Sequence, residues 1–291
     1  MSKYKRNHNV RKFLTFGAIP LSIFLAVLVY PFAQGLFLTF TDWNGFSYEK
    51  FTGFKNYADS LTDAHFWTTL GFTLKFVLVS MVLVNVVAFG LALLVTAKLK
   101  SANLFRTFFF IPNLIGGVVL GVIWQFIFNT ALVSISTKFS LPFFQDSWLN
   151  DTNKSFWALI IVTVWQSSGY MMIIYITGLI SIEQDVLEAA KVDGASPLRM
   201  LTAIKIPLMA QAFTISLFLT MRGGFMAYDV NLALTGGGPY RTTELISMHI
   251  FQEAFAFAHF GTGQAKAVLM FIMVAFAALI QVGVSKRMET H

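Results

Sequence analysis

Six stretches of this chain, about 13–41, 70–97, 104–128, 156–180, 208–229 and 265–285, are predominantly apolar over roughly twenty residues or more. That is the length a helix needs to cross a hydrocarbon core about 30 Å thick. Within lipid each backbone N–H and C=O must be satisfied inside the segment, so the stretches predict helices and exclude an open sheet. Composition agrees. Hydrophobic residues make up 56% and charged residues 12%, against about 25% charged in soluble domains. The expected fold is all-α and integral to a membrane, one domain over 1–291 with six transmembrane helices.

Two spans carry internal signals. Pro112 and the pair Gly116-Gly117 predict a kink in the third, and Arg222 and Asp229 make the fifth the least apolar. Lys75 near one end of the second is expected to snorkel to the interface. The opening MSKYKRNHNVRK resembles the start of a signal peptide, but the apolar run behind it is too long and lacks a small-x-small cut site. It is expected to be a retained first helix.

The basic residues set the orientation. With the N-terminus inside, thirteen Lys/Arg fall in cytoplasmic segments and five in external loops, at about 42–69, 129–155 and 230–264. The positive-inside rule therefore predicts both termini in the cytoplasm. The net charge of +7 is thus a topology signal and not a nucleic-acid patch. Several external aromatic residues, among them Trp43, Tyr48, Trp67, Trp148 and Tyr240, are placed for an interfacial belt.

One polar interruption has clear helix signals. In Ser181–Pro207, Ser181 with Gln184 fits a capping box, and Asp193-Gly194 supplies a stop. Ser196-Pro197 then starts a second helix, with Ser as N-cap and Pro at the first position. The segment reads as helix, glycine break, helix, on the cytoplasmic side. Without a partner, the same pattern would suit an amphipathic interfacial helix.

Catalytic equipment is missing from the sequence. No G-x-x-x-x-G-K-[ST], H-E-x-x-H or G-x-S-x-G occurs, and no paired intramembrane carboxylates suggest a proton relay. The chain has no Cys. Its five His lie in tails and loops and form no metal-ligand spacing, so neither metal nor cofactor is expected. Gly236, Gly237, Gly238 and Pro239 could suggest a phosphate cradle, but they follow no strand and carry no Lys. They read as a flexible external turn.

Polar and aromatic groups inside spans are costly in lipid and face a cavity or a partner. Those of the third and fourth spans are Asn113, Trp124, Gln125, Trp165, Gln166, Ser167, Ser168 and Tyr170. The fifth adds Arg222, Tyr228, Asp229 and, at its mouth, Asn231. Aromatic faces that stack on sugar C–H patches, with amides and a carboxylate for hydroxyls, suit a carbohydrate path. Helix packing is the alternative for each residue, but Arg222 points to function or a subunit contact.

The stretch EAAKVDGASPLRMLTAIKIP resembles the Glu-Ala-Ala loop of membrane subunits of binding-protein-dependent ABC importers. The match rests on Glu188, Ala189, Ala190, Gly194, Ile204 and Pro207, with Ile206 where Leu is usual. The stretches TDWNGFSYEKFTGFKNYADSL and LTGGGPYRTTELISMHIFQEAF are similar to MalF-like permeases of carbohydrate importers of the CUT1 type. The maltose prototype has extra N-terminal helices and a large external domain that are not expected here.

That resemblance implies a type I ABC importer (MetI-like) permease fold in a bacterial plasma membrane. The implied partners are a second homologous permease, two ATPase subunits holding ATP and Mg, and an extracellular or periplasmic sugar-binding protein. It also implies that Glu188, Ala189, Ala190, Asp193, Gly194, Ala195, Pro197, Ile204 and Pro207 couple to the ATPase, and that Gly236–Pro239 lies near the docking face. An oligosaccharide is the implied substrate, with a sugar phosphate or anionic sugar as alternative. A self-sufficient secondary transporter is the reading from another class, without the inverted repeats such proteins show.

Overall fold

The computed structural model describes residues 13–97, 101–140 and 142–289. These residues are helical, and their one strand-like pairing is an isolated antiparallel bridge from Thr41 to Phe51. In chain order the helices are α1 (Thr15–Leu38), α2 (Lys55–Thr62), α3 (Ala64–Thr96) and α4 (Ala102–Phe110). There follow α5 (Gly117–Phe139), α6 (Thr152–Ile180), α7 (Gln184–Val192) and α8 (Pro197–Leu208). The last four are α9 (Ala210–Phe225), α10 (Asp229–Leu234), α11 (Ile246–Phe251) and α12 (Phe260–Ser285). Five of these are long and apolar enough to cross a membrane, and the bent pair α8–α9 would make a sixth span.

Two of the expected spans are drawn differently. The third, 104–128, is not a kinked helix but a broken one. Pro112 has no N–H to give, and Ile115 and Gly116 are extended, at ψ 125° and 141°. The helix restarts at Gly117 and continues to Phe139, taking in residues expected in an external loop. Gln166 repairs the break by donating from Nε2 to the Ile115 carbonyl at 3.3 Å. The fifth, 208–229, is shorter: α8 and α9 meet at 71° around Met209, and α9 stops at Phe225. Tyr228 and Asp229 therefore lie beyond its end.

The chain divides into two compact units, residues 1–63 with 250–269, and residues 64–249 with 270–291. In the first, α1 has no buried residue in its apolar window. Behind it, Asn56 Nδ2 donates 2.8 Å bonds to the Thr39 and Thr41 carbonyls and fixes the turn onto α2. Gly261 permits this approach, because a Cβ there would lie 2.9 Å from Asn56 Nδ2 and 3.0 Å from the Thr41 carbonyl oxygen. Lys266 is buried and bridges Asp63 and Glu253, each at 2.7 Å. Two carboxylates offset the cost of burying one ammonium.

In the second unit α3, α6 and α9 form the core, and half of the apolar window of α6 is buried. Close crossings are made by glycine. A Cβ on Gly169 of α6 would lie 1.8 Å from the Phe109 carbonyl oxygen of α4. On α5, Gly117 and Gly121 stand four apart, and a Cβ on either would meet Asp229 or Ala233 of α10 at 2.7 or 2.5 Å. This small-xxx-small face lets the short α10 lie against α5.

Candidate functional site

The polar segment between α6 and α9 folds as a capped corner. Asp193 ends α7 and Gly194 takes φ +77°, the left-handed conformation that glycine adopts cheaply. Ala195 N–H donates to the Ala190 carbonyl and Gly194 N–H to that of Lys191, the paired bonds of a Schellman cap. Ser196 Oγ accepts from Arg199 N, with Pro197 at the first turn of α8. The expected capping box does not form. Ser181 is still helical at the end of α6, so its hydroxyl donates to the Gly178 carbonyl, and Glu183 takes the N-cap without a side-chain bond.

The corner is exposed on one side and anchored on the other. Glu188, Ala189, Asp193 and Gly194 are exposed and Ala195 is half-buried. Ala190, expected to couple together with Ala189, packs inward at 9% exposure. Val192 at 88% and Leu198 at 70% are left open. Pro207 cannot donate a backbone bond, and the preceding turn, Met200–Lys205, widens to i→i+5 spacing; Ile204 there is half-buried. Met209, at the bend into α9, is buried in a cluster with Val84, Ala88, Met172 and Tyr175.

Above Met209 the three core helices share one polar knot. Asn85 of α3 donates from Nδ2 to Thr220 Oγ1 at 3.0 Å. Its Oδ1 accepts from the Tyr175 hydroxyl at 2.6 Å and from Ser216 Oγ at 2.5 Å. All four side chains are buried. A satisfied network of this kind fixes helix register where apolar packing alone would allow sliding.

Thr220 also lines a cavity of about 400 Å³. Its polar wall is Ser80, Asn113, Thr163, Gln166, Ser167, Tyr228 and Asp229, and Gly117, Gly223 and Gly224 leave it room. Of the residues expected along a path, Asn113, Gln166, Ser167, Tyr228 and Asp229 come together here, while Ser168 does not line it. Trp124 and Trp165 pack against each other at 5.5 Å, Trp165 in an apolar groove of about 630 Å³, and so do not line it. Gln125 is exposed on α5, Tyr170 is exposed beside Phe110, and Arg222 is exposed on α9 outside the lining. Tyr228 is the cavity's one aromatic, where several were expected. Ser80, Thr163 and Thr220 carry no distinct sequence signal, because hydroxyls in apolar helices commonly bond their own backbone.

Asn231 belongs elsewhere. It is fully buried, donates to Thr235 Oγ1 and the Thr243 carbonyl, and accepts from Leu245 N–H. The loop it holds contains Gly236 at φ +56° and Gly237 at φ +81°, with a cis Gly238–Pro239 bond. Internal bonds such as Thr243 N–H to the Gly237 carbonyl make this a closed structure and not a loose turn.

The loop ends on Glu244, 1% exposed. Arg241 grips its carboxylate with Nε at 2.6 Å and Nη2 at 3.0 Å. His249 Nδ1 lies at 3.1 Å and His65 Nε2 at 3.2 Å. Burial alone would raise the Glu244 pKa, but the bonds from His249, Arg241 and His65 outweigh it and bring it down to about 2. His65 and His249, which showed no ligand spacing in sequence, are brought together by tertiary structure. With Glu244 they could hold a metal ion.

Residues 86–290 match the family described as binding-protein-dependent transport system inner membrane component. The chain is 44% identical to the "Probable starch degradation products transport system permease protein AmyD" of Thermoanaerobacterium thermosulfurigenes, over 93% of this chain and 92% of that one. It is 30% identical to the "Multiple sugar-binding transport system permease protein MsmF" of Streptococcus mutans, over 94% and 95%. A chain of a bacterial alginate ABC transporter, solved in complex with an alginate pentasaccharide-bound periplasmic protein, superposes with a TM-score of 0.82. That alignment is 18% identical and covers 99% of this chain and 97% of the other. It speaks to fold alone.

Proposed function

This chain belongs to the family of binding-protein-dependent transport inner-membrane components, and from that premise we propose how it works. It is a non-catalytic, multi-pass permease subunit of a sugar ABC importer in the bacterial inner membrane. The finer reading is that the α7–α8 corner is the seat of an ATPase subunit and the 400 Å³ cavity is part of the sugar path.

The observation that carries this reading is continuity from corner to cavity. Val186, Val192 and Leu198 are apolar residues held open to solvent on the corner, as a docking surface requires. The corner cannot flex freely, since its Schellman cap and Ser196 cap fix both short helices. Its inner end is Met209, clamped between α3 and α6, and the knot at Asn85 joins those helices to α9 one layer higher. Thr220 belongs to both knot and cavity. A displacement imposed on α7 would reach the cavity as a rigid movement of packed helices.

ATP and Mg2+ would be bound by two partner ATPase subunits, with Glu188 meeting a basic or polar group on one of them. A second, homologous permease would complete the path, and a periplasmic sugar-binding protein would deliver the substrate near the Gly236–Pro239 loop. The substrate is a neutral oligosaccharide: among the cavity's lining residues Asp229 is the one charged group, and Arg222 stands outside. A carboxylate accepts sugar hydroxyls and repels uronates and sugar phosphates. Reconstitution with the partner subunits tests this. Uptake should require ATP and loaded binding protein; uptake driven by an ion gradient without ATP would refute it.

A further inference from the structure

We propose that His65, Glu244 and His249 form a binding site for a divalent ion of the zinc class, with Arg241 as the competing cation. The inference is independent of the transport assignment. His65 Nε2, His249 Nδ1 and the Glu244 carboxylate all lie within 4.8 Å of one another. His249 Nδ1 stands 3.1 Å from Oε1 of Glu244 and His65 Nε2 stands 3.2 Å from its Oε2, close to the edge of a tetrahedron drawn around zinc, roughly 3.4 Å for bonds near 2.1 Å. The imidazoles do not stack. Their planes meet at 71° with centroids 5.0 Å apart, and each turns one ring nitrogen to the carboxylate.

The ligands sit on firm supports. His65 is in the first turn of α3, His249 is in α11, and Glu244 is next to Leu245, whose N–H is fixed by Asn231. Sites built on such elements keep their geometry. The side chains of Glu244 and His249 are 1% and 3% exposed, whereas that of His65 is 32% exposed. The same edge gives solvent access to the site, from which a water would complete a tetrahedral set. Two imidazoles and one carboxylate suit zinc and its neighbours; calcium and magnesium prefer all-oxygen sets.

Arg241 supplies the positive charge that the carboxylate otherwise lacks. Its guanidinium holds both oxygens, but its side chain is 47% exposed and its backbone, at φ +60°, lies in a loop. A metal arriving at the carboxylate would have to displace the guanidinium from one oxygen. In either state Glu244 stays neutralised and ties the 235–245 loop to the start of α3, more firmly with the ion because His65 is then bonded directly.

The test uses the assembled transporter, purified without a polyhistidine tag and titrated with ZnCl2 and CoCl2. We expect about one zinc per copy of this chain, and a tetrahedral Co2+ absorption spectrum. His65→Ala, at the exposed ligand, should weaken binding by about 100-fold, and Arg241→Ala should tighten it by about tenfold. Failure of both the wild type and Arg241→Ala to bind stoichiometric metal would overturn the site. So would binding that His65→Ala leaves unchanged, since the ion would then be held elsewhere.

Discussion

The Tyr175 hydroxyl of α6 donates a 2.6 Å hydrogen bond to Oδ1 of Asn85 on α3, 90 residues earlier in the chain. The same oxygen accepts from Ser216 of α9, so one amide holds three membrane helices at a common level. Asn85→Leu would leave the Tyr175, Ser216 and Thr220 hydroxyls to find other partners in a dry interior. The expected loss is about 2 kcal/mol of stability, read as a lower melting temperature in detergent. Tyr175→Phe added to it should cost less than the sum of the single changes, because the partner is already gone. Additive losses would mean the knot is not a unit.

Gly169 sets the distance between α4 and α6. With a Cβ 1.8 Å from the Phe109 carbonyl oxygen, neither backbone can yield without parting the helices. Gly169→Ala should cost about 3 kcal/mol, at the upper end for overpacking, and sharply lower the folded fraction on size-exclusion chromatography. Gly90 provides the control, because nothing lies within 4 Å of where its Cβ would stand: Gly90→Ala should be tolerated.

In the cavity the two charged candidates should separate. Asp229→Asn removes the one carboxylate of the lining, while Arg222→Gln changes a side chain outside it. Uptake of a neutral oligosaccharide by the reconstituted transporter should fall by about tenfold in the first and stay within about twofold in the second, as loss of a hydrogen bond to a charged group predicts. The reverse order would move the path to the other face of α9.

Much of this was legible because membrane helices announce themselves by length. The Gly194 stop was legible too, since a Schellman cap needs only local sequence. What could not be read is where a span breaks and what meets across the fold. Pro112 signalled a bend, but whether the chain bends or leaves the helix depended on Gln166, 51 residues from the Ile115 carbonyl it satisfies. Asn85 does carry a signal: it is the lone Asn in the run 70–97, and such a group demands a partner, though not which one. His65 and Glu244 are 179 residues apart, beyond the reach of any spacing rule. Trp124 and Trp165 had the right chemistry for sugar, yet they face each other, and Trp165 opens onto an apolar groove away from the polar cavity.

As a rigid seat for the ATPase, the α7–α8 corner depends on Gly194. Nothing lies within 4 Å of where a Cβ on Gly194 would stand, so substitution there acts on backbone conformation alone. Proline, fixed near φ −65°, cannot adopt the +77° that Gly194 holds. The decisive measurement is ATP-driven sugar uptake, with ATPase co-purification, for Glu188→Lys combined with Gly194→Pro in the assembled transporter. At unchanged abundance in the membrane, uptake should fall by about 100-fold and the ATPase should no longer co-purify, as the loss of several kcal/mol of coupling implies. Wild-type uptake with the ATPase still bound would contradict the account.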